Sequence, residues 1–385
     1  MKLQGKNILV FTGGGITPAL NPTLYGVISE AKKQGAKITG GFFGWASLSA
    51  DSKTIDLTSF DPEPIKNIGG SFLRSSRTNP FADDKGVEVL KKKLQELVID
   101  YVIAIGGDDT LGAAEKLFAK EGIKIIGVPK TIDNDLMGTY WTPGYPSAAH
   151  YAARYAYEIK VDAAYALSRV FVIELYGRQS GWLVAAASHG LADVIVPPEK
   201  EVSLDKVMAK LQERYRANGN FATIVISEEA KFDRDVQGLD QEQKDDFDVK
   251  RKNFVGMGLK DIIIKEMGVN CRPLFPGNFM QTGAPIKIDQ EIAIAIGTKA
   301  VQMLSDEKFG FMPAVSRPDE KSLAIEVAEV PLSEAVGQVR FLDDGMFDYE
   351  NFNVTEKYFN YTKPFLDDDD KRGDDYFKMV MDLNK

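Results

Sequence analysis

Between Tyr101 and Asp135 the chain twice runs a short, β-branched apolar stretch into a loop crowded with glycine, acid and hydroxyl groups. Tyr101-Val102-Ile103-Ala104-Ile105 enters Gly106-Gly107-Asp108-Asp109-Thr110, and a helical pattern follows over Leu111 to Lys120. Ile123-Lys124-Ile125-Ile126-Gly127-Val128 then enters Pro129-Lys130-Thr131-Ile132-Asp133-Asn134-Asp135. Apolar runs this short read as buried strands, and Pro129 suits a chain leaving a strand for a loop. In an open α/β sheet, ligands bind at the carboxyl ends of the strands, where both loops lie. Two glycines opening a helix let backbone approach a phosphate while the helix N-terminus favours its charge. Carboxylates there hold Mg²⁺ or accept a proton, and a lysine there holds a phosphate. Asp, Asn and Thr are also ordinary turn residues, so Asp133-Asn134-Asp135 alone does not decide between chemistry and a solvated turn.

A chain of 385 residues is too long for one simple core and suits two α/β lobes. Hydrophobic residues at 44% and charged residues at 27% are ordinary for a soluble globular protein. No apolar run approaches the roughly 20 residues that span a bilayer, and Met1 to Lys6 lacks a signal-peptide apolar region. Cys271 is the one cysteine, so no intrachain disulfide forms and a reducing cytoplasm is expected. A net charge of −9 argues against a broad nucleic-acid face, and anionic substrates therefore need a local cationic pocket. With only His150 and His189 available, an acid–base enzyme of this composition uses a carboxylate as its base.

Other segments repeat the strand–loop–helix order. A strand at Asn7 to Phe11 leads into Gly13-Gly14-Gly15, then a helix from about Pro22 to Gln34. This loop suits phosphate or a simple flexible turn, and it is not a Walker loop. A strand at Lys37 to Gly44 follows, and Arg74 and Arg77 stand in a glycine- and serine-rich stretch. Their planar donors suit phosphate, although exposed arginines are commonly just solvated. A helix over 84–97 precedes the Tyr101 strand, and an Ala- and Tyr-rich helix runs to about Leu167. The next strand, Ser168 to Leu175, ends in Tyr176-Gly177-Arg178. Ala185 to Ala192 reads as a tightly packed helix and Asp193 to Pro197 as a strand. Phe221 to Ile226 is a strand ending in Ser227-Glu228-Glu229, carboxylates that suit sugar hydroxyls or solvent equally. The charge-dense stretch Lys231 to Lys252 reads as an exposed helical excursion or a partly disordered loop.

Gly106-Gly107-Asp108 and Thr131-Ile132-Asp133-Asn134-Asp135, in this order and each after a strand, resemble the active-site signatures of the phosphofructokinase family. The likeness runs from about Ile8 to about Arg340. It implies an α/β fold of two Rossmann-like three-layer lobes with mainly parallel sheets. Residues 1–144 with about 280–330 would form the phosphoryl-donor lobe, and about 145–279 the acceptor lobe. Residues 331–385, with their Asp367 to Asp370 run, would wrap the surface.

The resemblance also implies roles for individual residues. Asp133 would be the general base, Asp135 would steer it, Thr131 and Arg178 would complete the catalytic set, and Asp108 would hold Mg²⁺. Gly14, Gly15, Arg77, Gly107, Asp109, Thr110 and Lys130 would bind the donor. ATP-using members resemble this chain but carry glycine at positions 109 and 130. Asp109 fills the room of a further phosphate and Lys130 adds a cation, the pattern of the pyrophosphate-dependent members. Arg169, Tyr176, Gly177, Glu228, Arg272, Asn278 and Gln281 would bind the acceptor, with Tyr176 in place of the usual methionine. Arg169 and Arg272 would reach a neighbouring subunit's acceptor, which implies a homodimer with shared sites. The implied acceptor is fructose 6-phosphate. Asn278 and Gln281 replace the family's usual cationic or aromatic groups, so another sugar phosphate or a polyol stays open. An ATP-dependent enzyme or a non-catalytic metabolite-binding homologue are the further alternatives. A dinucleotide-binding oxidoreductase ranks last, because Gly13-Gly14-Gly15 lacks the Gly-x-Gly-x-x-Gly spacing.

Overall fold

The computed structural model describes residues 2–83, 85–165, 169–236, 239–244, 250–319 and 322–366, together with Phe377 and Met379. Two sheets organise it. The first contains β1 (Asn7–Thr12), β2 (Lys37–Gly41), β3 (Thr54–Asp56), β4 (Tyr101–Gly106) and β5 (Ile125–Pro129). Its spatial order is β3-β2-β1-β4-β5, parallel throughout except for the antiparallel edge strand β3. Both faces of this sheet are covered, which is why its strands are continuous apolar runs. Ile8 and Val10 of β1 point to one face, against α1 (Leu20–Lys33) and the later α9 (Lys287–Ser305). Leu9 and Phe11 point to the other, against α2 (Gly86–Glu96) and α3 (Asp108–Glu121).

The second sheet lies beyond α4 (Tyr145–Tyr165) and contains β6 (Arg169–Leu175), β7 (Val194–Val196), β9 (Phe221–Ser227) and β13 (Asn270–Leu274). Its order is β13-β6-β9-β7, all parallel. Val170, Val172, Ala222 and Ile224 pack beneath α6 (Leu204–Ala217) and α7 (Val255–Met267). Ile173, Leu175 and Val225 face the opposite way, into a core shared with the first sheet. That core contains Trp141, Tyr145, Trp182, Tyr358, Tyr361 and Phe365. A small parallel pair, β8 (Glu201–Val202) with β10 (Lys231–Phe232), lies outside it. After α8 (Gly277–Thr282) and α9, the antiparallel pair β14 (Phe311–Ser316) and β15 (Glu326–Pro331) precedes α10 (Leu332–Ala335) and α11 (Glu356–Thr362).

Several elements differ from the sequence reading. Helix α3 begins at Asp108 rather than Leu111, because Gly107 stays extended and serves as its N-cap. Asp108 and Asp109 thereby occupy the first turn, where the helix dipole favours negative charge. The small-residue stretch is α5 (Trp182–Ala186) followed by a 3₁₀ turn, Ala187–Gly190, and a left-handed Leu191. The charge-dense stretch carries an antiparallel strand pair, β11 (Leu239–Lys244) and β12 (Lys250–Asn253), which satisfies its backbone without a helix. The C-terminal extension goes beyond surface wrapping: Leu342, Tyr358, Tyr361 and Phe365 are buried in the central core. Asp84, Leu167, Ser168 and the Asp367 to Asp370 run lie outside the described residues.

Candidate active site

The carboxyl ends of five strands converge on one cleft. Gly14 and Gly15 follow β1, Gly107 to Thr110 follow β4, and Lys130 to Asp135 follow β5. Tyr176 and Arg178 follow β6, and Glu228 and Glu229 follow β9. Arg77 from the loop after β3 and Gln281 from α8 complete the wall. Two sheets face each other across this cleft, so groups on one side can hold a donor and groups on the other an acceptor.

Lys130 anchors the first side. Its side chain is buried, and its Nζ donates to the carbonyls of Gly13 at 3.0 Å and Gly15 at 2.5 Å. Burial lowers its pKa to about 7 against the pull of Asp133, with Arg178 and Arg77 pushing the same way as burial. The glycine loop is fixed from behind as well: the Ser75 hydroxyl donates to the Gly14 carbonyl at 2.6 Å, and the Gly14 amide to the Ser76 carbonyl. Gln281 approaches this loop, its amide nitrogen 3.6 Å from where a Gly15 side chain would begin.

The acid loop turns on Asn134, between Asp133 and Asp135, whose φ of 57° is left-handed, a conformation that asparagine tolerates better than most non-glycine residues. The Thr131 hydroxyl accepts the amide of Asp133 at 3.1 Å, and the Ser180 hydroxyl donates to the Asp133 carbonyl at 2.8 Å. Asp135 opens partly to the cleft, yet the protein around it and the neighbouring Asp133 carboxylate raise its pKa to about 7. Asp108 accepts the Gly337 amide at 2.8 Å, and Asp109 faces the Arg178 guanidinium at 3.9 Å.

The far wall rests on the turn after β6. Gly177 and Arg178 both have positive φ, 144° and 50°, and the Ser180 amide closes the turn onto the Gly177 carbonyl at 3.0 Å. The Arg178 amide donates to Glu228 at 3.2 Å, which links the ends of β6 and β9. The Tyr176 ring lies flat on Gly277, where a Cβ would meet ring carbons at 2.4–2.6 Å. Its hydroxyl reaches the Asn278 amide oxygen at 3.4 Å.

A phosphofructokinase family model matches residues 7–304. The chain belongs to the phosphofructokinase family. It is 36% identical over 309 residues to the pyrophosphate–fructose 6-phosphate 1-phosphotransferase of Dictyoglomus thermophilum, covering 80% of this chain and 88% of that one. It is 32% identical over 345 residues to an ATP-dependent 6-phosphofructokinase of Streptomyces coelicolor, covering 88% and 97%. The crystal structure of a pyrophosphate-dependent phosphofructokinase from Nitrosospira multiformis superposes with a TM-score of 0.84 at 24% identity, covering 94% and 92%. Relatives named for either donor align over most of the chain, and those named for pyrophosphate are the more similar, at 32–36% identity against 29–32%.

In this phosphofructokinase the donor and catalytic residues named from sequence gather at one cleft, with Tyr176 and Glu228 opposite them. Gly177 shapes the wall through its backbone, and Asn278 touches the cleft only through Tyr176. Arg169 and Arg272 do not join them. Arg169 opens β6, six residues before Leu175 and so about 20 Å from the cleft end of that strand. Its guanidinium binds Asp162 at 3.1 Å. Arg272 is exposed on the adjacent edge strand β13, in register with Phe171. Residues that the sequence reading missed are Ser180, Arg340 and Tyr361, all bonded to the acid loop. Ser180 stands two residues past Arg178 and was within reach of inspection. Nothing local marks Tyr361, which lies 227 residues from its partner Asn134.

Proposed function

We propose that this phosphofructokinase transfers a phosphoryl group from pyrophosphate to the 1-hydroxyl of fructose 6-phosphate, giving fructose 1,6-bisphosphate and phosphate. The observation that carries the donor assignment is the buried Lys130 Nζ against the glycine loop, with Asp109 beside Arg178. Lys130 and Arg77 supply local cationic charge in a chain of net charge −9. Asp109 puts a carboxylate where a longer polyphosphate would continue.

Asp133 takes the proton of the acceptor hydroxyl as its oxygen bonds to phosphorus. The bond from that phosphorus to the bridging oxygen breaks, and phosphate leaves. Arg77, Arg178 and Lys130 hold the equatorial oxygens, and Thr131, whose hydroxyl accepts from the Asp133 amide, donates a hydrogen bond to an oxygen of the moving group. Asp135 keeps Asp133 aimed. Gly14, Gly15, Gly107 and Thr110 hold the donor through backbone and hydroxyl groups, and Glu228 and Tyr176 hold the sugar.

Mg²⁺ takes one or two carboxylates and otherwise waters and substrate oxygens. Among the described residues no cluster of three or more acid, His or Cys ligands is preformed. Asp108 and Asp133 both disfavour charge on Asp135, an acidic field that welcomes a cation. Asp108 would hold the ion, which neutralises charge on the transferring phosphoryl group.

Residues 1–144 with about 280–330 act as the donor lobe and about 145–279 as the acceptor lobe. A homodimer completes the acceptor site with the partner's copies of Arg169 and Arg272. Glycolysis in the cytoplasm is the setting that fits this reaction. Among the described residues no helix is long and apolar enough to cross a membrane.

The test is a coupled assay with Mg²⁺, pyrophosphate or ATP as donor, and fructose 6-phosphate, sedoheptulose 7-phosphate or unphosphorylated sugars as acceptor. Pyrophosphate with fructose 6-phosphate should be at least tenfold more efficient than any other pair. A tenfold preference for another acceptor would make Asn278 and Gln281 specificity residues for that sugar. Asp133→Asn should lower turnover by about 10²–10⁴-fold or more with the fold intact. Near wild-type turnover would take Asp133 out of the base role.

A further inference from the structure

The family model ends at residue 304, yet the acid loop is held by residues well beyond it. Asn134 Oδ1 accepts the Thr142 amide at 3.0 Å, and Asn134 Nδ2 donates to the Tyr361 hydroxyl at 2.8 Å. The same hydroxyl donates to the Tyr140 carbonyl at 2.6 Å. Tyr361 thus uses both capacities of one oxygen on two points of the loop. Arg340 adds its amide to the Asp135 carbonyl at 2.7 Å and its guanidinium to the carbonyls of Thr139 and Tyr140 at 3.0 and 2.7 Å. That guanidinium stacks over Trp182 at 4.5 Å, and the Trp182 indole N–H donates to the Arg340 carbonyl. With Gly337 bonded to Asp108, both acid loops are tied to one segment, residues 337–361.

We propose that Tyr361 is a positioning residue for phosphoryl transfer: its hydroxyl fixes Asn134 in the left-handed conformation and so sets the aim of Asp133 and Asp135. The proposal rests on the reading of Asp133 as the base. Asn134 Oδ1 is already spent on Thr142, and both its neighbours are the carboxylates in question. Released from Tyr361, the loop keeps its bond to Thr142 but loses the constraint on the other end of the same amide. Misplacing a reacting group by about 1 Å costs up to about a hundredfold in rate, so a modest loosening is measurable.

Tyr358 supplies the control that separates aim from packing. It lies in the same helix, is equally buried, and its hydroxyl bonds to the Tyr145 hydroxyl at 2.9 Å and the Trp182 carbonyl at 3.1 Å, not to the acid loop. Tyr361→Phe keeps the ring contacts to Tyr140, Trp182 and Phe365 and removes only the hydroxyl. Of the two hydrogen bonds lost with the hydroxyl, to Asn134 and to the Tyr140 carbonyl, the one to Asn134 sets the aim, and kcat should fall about tenfold, the scale of that one bond, with both substrate KM values within about twofold. Tyr358→Phe should lose comparable thermal stability and keep kcat within about twofold of wild type. In an Asp133→Asn background the Tyr361→Phe change should cost less than about twofold, because the group it aims is gone. Unchanged kcat in Tyr361→Phe, an equal loss in Tyr358→Phe, or an undiminished tenfold loss in the Asp133→Asn background would each overturn the proposal. Near wild-type turnover of Asp133→Asn itself would remove the base reading alone, and the Tyr361 and Tyr358 comparison would still decide whether the hydroxyl aims the loop.

Discussion

Lys130 and Asp135 sit a few residues apart and are both pushed to about 7, from opposite directions. A lysine lowered from 10.5 leaves the folded chain with fewer bound protons than the unfolded one between about 7 and 10.5, so its contribution to stability rises with pH there. An aspartate raised from 3.8 does the reverse: its contribution is fully present below about 3.8 and is lost as pH rises through about 7. Asp135→Asn should therefore be more stable than wild type at pH 8, and the gain should vanish below pH 4; thermal denaturation at both pH values reads this. Binding of an anionic donor favours the charged lysine, so calorimetry at pH 8 in buffers of different ionisation enthalpy should show proton uptake with pyrophosphate. Lys130→Met should lose that uptake along with most of its affinity, and the same uptake in the variant would place the proton elsewhere. The donor assignment has its own residue-scale test. Asp109→Gly with Lys130→Gly should weaken use of pyrophosphate and admit ATP, chiefly through position 109. A double variant that uses pyrophosphate normally and ignores ATP would contradict the assignment.

At the scale of elements, α4 begins without a side-chain cap of its own, since Gly144 precedes Tyr145. Asp289 of α9 supplies the cap from 145 residues away, accepting the Gly144 amide at 2.9 Å, the Ser147 amide at 3.3 Å and the Ser147 hydroxyl at 2.5 Å. Burial raises this carboxyl to about 6 in spite of those three bonds. Asp289→Ala leaves two buried amides without their acceptor and should cost about 1–3 kcal/mol, read as a lower denaturation midpoint. Because Gly144 also bridges to Thr131, kcat should fall with it. That the first turn of α9 caps another helix was not legible in the sequence, since capping of this kind is a long-range contact. The strands were legible for a local reason: burial on both faces writes them as unbroken apolar runs. The start of α3 was not, because only the extended backbone of Gly107 sets it. Helix α11 was invisible because seven residues carry too little periodicity, and its two buried tyrosines are chosen by partners far away.

At the scale of the molecule, Arg169 and Arg272 lie away from the cleft of their own chain on neighbouring strands β6 and β13. Strand β13 is an edge of the second sheet, and a bare edge is a template for pairing or covering by another chain. Large apolar side chains are exposed on elements near it: Tyr165, 90% exposed at the end of α4, Met257 and Ile264 on α7, and Phe275 just past β13. Exposed apolar side chains and an exposed arginine on an edge strand are the residue types an interface serving an anionic ligand uses. In the proposed twofold dimer each chain's Arg272 would reach its partner's cleft, and sedimentation should return a dimer. Sharing predicts more than assembly. Arg272→Ala should raise the acceptor KM and leave the pyrophosphate KM unchanged, whereas Asp133→Asn should fail in kcat. When the two variants, assayed at acceptor concentrations so far below the raised KM that each is nearly inactive, are dissociated, mixed and reassociated, half of the dimers are mixed, and each of these holds one site with an intact Asp133 from one chain and an intact Arg272 from the other. Activity should return to about one quarter of the wild-type value, as random pairing about a twofold axis requires. A fully active monomer, or a mixture that stays as inactive as its components, would confine the acceptor site to a single chain.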